Sequence, residues 1–225
     1  MHVAFTPAEV ERVPTAVVVD VLRATSTIAQ ALAGDYGRVL CCASVEDARA
    51  LRERLGEGVL AGERRAAPIE GFELGNSPRD VVAGRGETLI LTTTNGTRAI
   101  VASAAHADSV LLGSLLNLGA VVDAARGAGT DVEVVCAGVE GRFTLDDAYC
   151  AGRIAAALAG ERSDAAEAAV RIATSFPSAL DALRTSENPF HEQLGADVEW
   201  CAREGILDVV PRLARMNGAA AEVVS

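Results

Sequence analysis

Four short stretches of this sequence put carboxylates, hydroxyls and arginine where an anion and a hard cation could meet. In the first, the apolar run Val17–Val19 leads into Asp20, followed by Arg23, Thr25, Ser26 and Thr27. Backbone N–H groups at a helix start, joined by hydroxyls and an arginine, make a site for phosphate or sulfonate. Helix capping alone accounts for one hydroxyl, not three. The second stretch is Gly62-Glu63-Arg64, again after a short apolar run; on its own it reads equally as a surface ion pair. The third, Leu91 to Arg98, carries Thr94, Asn95, Gly96, Thr97 and Arg98 where a strand should turn into a helix. It matches the first in residue type, although a threonine-rich edge strand with a tight turn would look similar. The fourth places Cys136-Ala137-Gly138 ahead of Asp146-Asp147. Paired acids at a helix start are either partners of the helix dipole or hard oxygen ligands of the kind Mg²⁺ prefers. Cys136 is either a nucleophile or a small buried hydrophobe.

Composition narrows the chemistry. The 225 residues carry 20 basic against 31 acidic side chains, a formal charge of −11. That argues against a nucleic-acid groove and against a basic membrane patch. All 20 cationic residues are arginine. With no lysine there is no Schiff base and no phosphate-loop lysine. Five cysteines form no C-x-x-C pair and have no histidine at metal spacing; no signal peptide is visible, so a reduced, cytoplasmic setting is expected.

The elements that must position these residues alternate. Apolar runs at Ala16–Val19, Arg38–Cys42, Gly58–Ala61, Thr88–Leu91, Ser109–Leu112 and Asp131–Cys136 read as strands buried on both faces. Amphipathic segments such as Val45–Leu55 and Leu116–Arg126 lie between them. The pattern predicts a layered α/β/α fold with a largely parallel or mixed sheet. Residues 1–225 are expected to form one compact unit. Within it, 15–62 and 88–136 read as repeated βαβαβ halves, with the hydroxyl-rich turns in matching places. Residues 145–225 read as a helical C-terminal region capping the sheet. Gly71–Arg85 is the longest irregular connection, either a functional loop or a hinge.

With these words in order along residues 15–160, the sequence resembles the 2-phosphosulfolactate phosphatase family. The resemblance is carried by DVLRATSTI from Asp20, GER from Gly62, GFELGNSP from Gly71, LTTTNGTRAI from Leu91, CAG from Cys136 and the acidic pair before Cys150-Ala151-Gly152. The family's acidic pair is usually Glu-Asp, whereas Asp146-Asp147 stands here. The resemblance implies an α/β fold and Mg²⁺-dependent hydrolysis of 2-phospho-3-sulfolactate to 3-sulfolactate and phosphate, on the route to coenzyme M.

The resemblance fits the reading of the residues themselves, in which Asp20, Glu63, Asp146 and Asp147 are the candidate metal ligands and Asp20, Arg23, Glu63 and Asp147 the candidate catalytic groups. Thr25, Ser26, Thr27, Arg64, Asn76, Ser77, Thr94, Asn95, Gly96, Thr97 and Arg98 would bind a small anionic substrate. Arg23 and Arg98 are expected to grip it from two sides. Water attack and a phosphoenzyme through Asp20 both stay open. A haloacid-dehalogenase-like reading fails on Leu22 and on the missing lysine. A cysteine hydrolase using Cys136 and a non-catalytic anion binder remain the alternatives. A homodimer is the default expectation for assembly.

Overall fold

A computed structural model describes residues 1–84, 86–129 and 131–225. Arg85, the last residue of the long connection, therefore lies outside the described residues. The chain opens with strand β1 (His2–Ala4) and a short 3-10 turn, then β2 (Val13–Val19), α1 (Ala24–Ala33), β3 (Arg38–Cys41), α2 (Val45–Leu55), β4 (Val59–Arg64) and β5 (Ala67–Pro68). It continues with β6 (Thr88–Thr92), α3 (Gly96–Ser103), β7 (Ala107–Gly113), α4 (Leu118–Gly127), β8 (Val132–Cys136) and α5 (Leu145–Ala157). The remainder holds α6 (Asp164–Ser175), α7 (Ala179–Thr185), α8 (His191–Leu194), α9 (Asp197–Cys201), β9 (Arg212–Asn217) and β10 (Ala220–Val224).

Local chemistry explains the boundaries. Ser44 accepts a hydrogen bond from the Asp47 N–H to start α2, acidic Glu46 and Asp47 fill its first turn, and Arg52 and Arg54 its last. Ser163 and Ser178 cap α6 and α7 in the same way. Along β2, Ala16 and Val18 enter one core cluster while Val17 and Val19 enter another. Both faces of the strand are covered, which is why it reads as a continuous apolar run. Helices α1 and α3 pack on the face of Ala16 and Val18. Helices α4 to α7 cover the face of Val17 and Val19, and α2 packs on Leu40, Leu60 and Ile90. The layered α/β/α expectation holds.

The strand order is β1-β8-β2-β7-β9-β10-β3-β6-β4-β5. Pairs β2–β7, β2–β8, β3–β6, β4–β6 and β1–β8 are parallel, whereas β10–β3, β10–β9, β7–β9 and β4–β5 are antiparallel. Residues 15–62 and 88–136 each run strand-helix-strand-helix-strand, and each gives its first strand to the other. β2 lies between β7 and β8, and β6 lies between β3 and β4.

One expectation is corrected here. The region 145–225 is not helical throughout: β9 and β10 form a hairpin through Gly218 (φ 63°) and sit inside the sheet, joining its two sides. Alternation of Leu213, Ala221 and Val223 into the core across a two-residue Gly218-Ala219 turn, where glycine supplies the positive φ, overrides the helical reading of the tail.

Helices α5 and α6 approach closely at Gly152, where an added Cβ would lie 2.0 Å from the Ala169 carbonyl oxygen and 2.8 Å from the Ala173 Cβ. Gly152→Ala should therefore destabilise the protein by about 1–3 kcal/mol through overpacking. Denaturant titration checks this, and unchanged stability would show that the two helices yield freely.

Candidate active site

Beyond the carboxyl ends of β2, β4 and β6 lies a small cavity of about 30 Å³ that opens to the surface, the place where open α/β sheets bind ligands. Asp20 and Arg23 enter it from the turn between β2 and α1, Glu63 from the end of β4, and Thr94 and Asn95 from the turn into α3. Asn76 comes from the long connection, and Asn188, Phe190 and Leu194 close it from the C-terminal segment.

The turn after β2 is built around Asp20, which is 7% exposed. Its Oδ1 accepts from the Ala24 N–H at 3.0 Å, and its backbone oxygen accepts from the Thr25 N–H and hydroxyl. Its Oδ2 lies against Gly96, where an added Cβ would come within 2.4 Å of both that oxygen and the Ala24 Cβ. Only glycine lets the starts of α1 and α3 meet there. Burial, with Asp146 and Glu63 nearby, lifts the Asp20 carboxyl to about 7, against the pull of the Ala24 N–H and Arg23.

Glu63 is held rigidly. Its Oε1 accepts from the Thr94 N–H at 2.7 Å, and its Oε2 from the Ala66 N–H at 2.8 Å and the Thr94 hydroxyl at 3.1 Å. Asn95 accepts from the Glu140 N–H through its side-chain oxygen, tying in the neighbouring turn. Arg23 donates from Nη1 to Asp197 at 2.7 Å.

Several expected site residues do other work. Ser26 donates to the Val21 carbonyl, Thr27 to the Asn76 carbonyl, and Thr97 bonds to Thr93. With Thr25, these buried hydroxyls satisfy buried backbone groups and do not line the cavity. Thr27 nevertheless fixes the segment that carries Asn76. Ser77 donates to Asp197. Arg64 is turned onto the Glu63 carbonyl and the Thr92 hydroxyl, off the lining. Arg98 is exposed, with its Nε 3.5 Å from the Ala43 carbonyl. The expected two-sided grip by Arg23 and Arg98 is therefore not present: the first helical turn of α3 points Arg98 outward.

The acidic pair also stands apart from the cavity. Asp147 accepts from the Val21 N–H at 2.8 Å and the Gly138 N–H at 2.9 Å, bracing the turns after β2 and β8. Burial, Asp146 and Asp20 push its carboxyl well above the ordinary range. Asp146 accepts from Ser186 at 2.7 Å, and burial raises its carboxyl too. Neither lines the cavity. Among the described residues no three His, Cys, Asp or Glu side chains are grouped to hold a metal ion. The expected four-carboxylate set of Asp20, Glu63, Asp146 and Asp147 is thus not assembled. Asn76 Oδ1, by contrast, is buried without a hydrogen-bond partner on the cavity wall. With Asp20 and Glu63 it offers a third hard oxygen, a donor set that fits a cation taking its remaining ligands from water and substrate.

Cys136 is 1% exposed, off the lining, and burial and Asp147 raise its thiol well above the ordinary value. It carries no appreciable thiolate at neutral pH, so the cysteine-hydrolase alternative loses its nucleophile. Sequence reasoning missed Asn188, Phe190, Leu194, Ser186 and Asp197. Asn188 before Pro189 was a visible turn signal, but nothing distinguishes Asp197 from its acidic neighbours.

Fold and site together define an α/β protein with a small polar cavity of carboxylates and arginine at the strand ends, and the relatives it matches place it among phosphoric monoester hydrolases. A family model described as 2-phosphosulpholactate phosphatase matches residues 4–216, and the chain belongs to that family. It is 42% identical over 201 residues to the 2-phosphosulfolactate phosphatase of Methanothermobacter thermautotrophicus, covering 87% of this chain and 84% of the relative. It is 37% identical to the probable 2-phosphosulfolactate phosphatase of Carboxydothermus hydrogenoformans over the same shares. To the probable enzyme of Thermotoga petrophila it is 36% identical, over 97% of this chain and 96% of the relative.

The Asp20 environment has a thermodynamic consequence. Its carboxyl titrates near 7 when folded but at 3.8 when free. The folded state binds the proton more tightly, so the group's destabilising effect is absent below about pH 4, grows between, and is complete above pH 7. Asp20→Asn should abolish turnover, and in metal-free protein it should raise the melting temperature at pH 8, with the gap closing toward pH 4. A variant less stable than the parent at pH 8 would show that the Asp20 charge is compensated.

Proposed function

We propose that this protein is a magnesium-dependent phosphatase that hydrolyses 2-phospho-3-sulfolactate to 3-sulfolactate and phosphate, a step on the route to coenzyme M. The observation that carries the reading is the cavity itself, with Arg23 beside Asp20 and Glu63, in a chain of the 2-phosphosulpholactate phosphatase family. The relatives' names supply the substrate. A cytoplasmic location belongs to the same proposal and is supported by five free, buried cysteines. Among the described residues no helix is long and apolar enough to cross a membrane. A homodimer is proposed as the assembly, to be read by sedimentation.

Charge supports the metal. The lining carries two carboxylates, Asp20 and Glu63, against one guanidinium, Arg23, so the cavity stays negative with Arg23 fully cationic. A polyanion enters such a space only with a cation. Asp20, Glu63 and Asn76 would hold Mg²⁺, which would offset phosphoryl charge and lower the pKa of a bound water. Arg23 holds phosphoryl oxygens with charge-assisted hydrogen bonds, the contact that strengthens as charge shifts in the transition state. Asp20 takes a proton from the water as the water oxygen bonds to phosphorus, the bond from phosphorus to the substrate's C2 oxygen breaks, and Asp20 returns the proton to the departing C2 oxygen, giving the hydroxyl of the product and free phosphate. Glu63, fixed by three donors, keeps the Thr94–Asn95 turn in register with Asp20. Phe190 and Leu194 shield the reacting groups from bulk water.

Turnover of 2-phospho-3-sulfolactate, set against a panel of other phosphorylated C3 acids, tests the substrate. Treatment with EDTA should remove activity and Mg²⁺ should restore it. Full activity in the stripped protein would sink the metal reading. Cys136→Ser should keep activity within about tenfold, because loss of a nucleophile costs several orders of magnitude. A loss of that size in a folded variant would return the cysteine to the mechanism.

A further inference from the structure

We propose that Asp197 is a positioning residue that holds Arg23 in the cavity, and that Arg79 offsets its charge so that Arg23 remains a cation for the substrate anion. The proposal rests on the phosphatase reading above and adds two residues that touch neither substrate nor metal there.

Arg23 is only 8% exposed, and a guanidinium this buried must be paired. Its Nη1 lies 2.7 Å from Asp197 Oδ2, while its Nη2 reaches the Ala66 carbonyl at 3.4 Å. Asp197 is 1% exposed and does not line the cavity. Its other oxygen accepts from Ser77 Oγ at 2.7 Å and from Arg79 Nε at 2.8 Å. One carboxylate thus gathers donors from the turn after β2 and from the segment that carries Asn76. It reaches across 174 and 120 positions of sequence to do so. It also follows directly on the segment whose Asn188, Phe190 and Leu194 close the cavity.

The charge count gives the network its function. Paired with Arg23 alone, Asp197 would form a neutral couple and weaken the pull on an anion. Arg79 brings a second guanidinium to the same carboxylate, with 45% of its side chain exposed. Two cations on one anion leave one positive charge beside the cavity. A buried carboxylate with three donors is also rigid, and rigidity matters because a misplacement of about 1 Å can cost on the order of 10²-fold in rate.

The test is a double-mutant cycle in the Mg²⁺-loaded full chain, with kcat, KM and melting temperature read for each variant. Asp197→Asn is isosteric and should lower kcat/KM by about 10–100-fold. In an Arg23→Ala background the same change should cost no more than about twofold further, because its effect passes through Arg23. Arg79→Ala alters an exposed side chain and should raise KM by about threefold or more, as expected for a lost long-range charge. Equal losses from Asp197→Asn in both backgrounds would overturn the proposal and reduce Asp197 to a folding residue. An Arg79→Ala variant with parental KM would overturn the charge argument. If the parent does not turn over 2-phosphosulfolactate, the substrate reading fails. The network is then judged from the stabilisation that inorganic phosphate gives each variant. Should Asp197→Asn keep the parent's phosphate response, the proposal falls on its own.

Discussion

The meeting of α1 and α3 at Gly96 is the contact from which the site is built. β2 and β6 have β7, β9, β10 and β3 between them in the sheet, yet the Asp20 carboxylate touches the first residue of α3. Both helices cross the same face, and their starts converge with no room for a side chain. That convergence puts the Thr94–Asn95 turn beside the turn after β2. Glu63, bonded to Thr94, is drawn into the same space. Exchange of first strands between the two βαβαβ units makes the crossing necessary, because each unit's opening turn must face the other's.

Such a site is costly to hold. Asp20, Asp146 and Asp147 lie within electrostatic reach of one another in a water-poor interior, and burial penalises each charge. The chain compensates with directed donors: Ala24 for Asp20, Val21 and Gly138 for Asp147, and Ser186 for Asp146. These bonds fix geometry but leave the negative field in place. Activity near an unbalanced charge cluster and stability of the bare fold therefore pull in opposite directions, a common trade at reactive centres.

The six buried strands and the alternating helices were legible because both faces of each strand must be apolar, and Val and Leu runs report that directly. Asp20, Arg23, Glu63, Thr94 and Asn95 were legible because strand ends are where an open sheet exposes polar groups, whereas Asn76, inside the long connection, was picked out only with the family-like segment around it. Hydroxyls misled. A threonine that satisfies a buried backbone carbonyl and one that meets a ligand are the same residue at the same kind of turn, and only three-dimensional neighbours separate Thr27 from Thr94. Arg98 misled for a related reason: symmetry of words does not ensure symmetry of side-chain direction. Asp197 was invisible because its partners are far away in sequence. The β9–β10 hairpin did leave a signal, the turn glycine Gly218, which the alanine-rich tail obscured.

The placement of that hairpin bears on how the molecule is made. β9 and β10 join the two sides of the sheet, but they follow every other strand in chain order. During synthesis, β3 and β7 must each wait with one edge open until residues 212–224 emerge from the ribosome. Pairing of this kind is distant in sequence and slow to form. Until it forms, the half-built sheet presents unpaired strand edges of the sort that chaperones bind and that aggregate when crowded. Within this sheet the hairpin is therefore a keystone, and the halves that carry Asp20 and Glu63 are held in one sheet only once it is set.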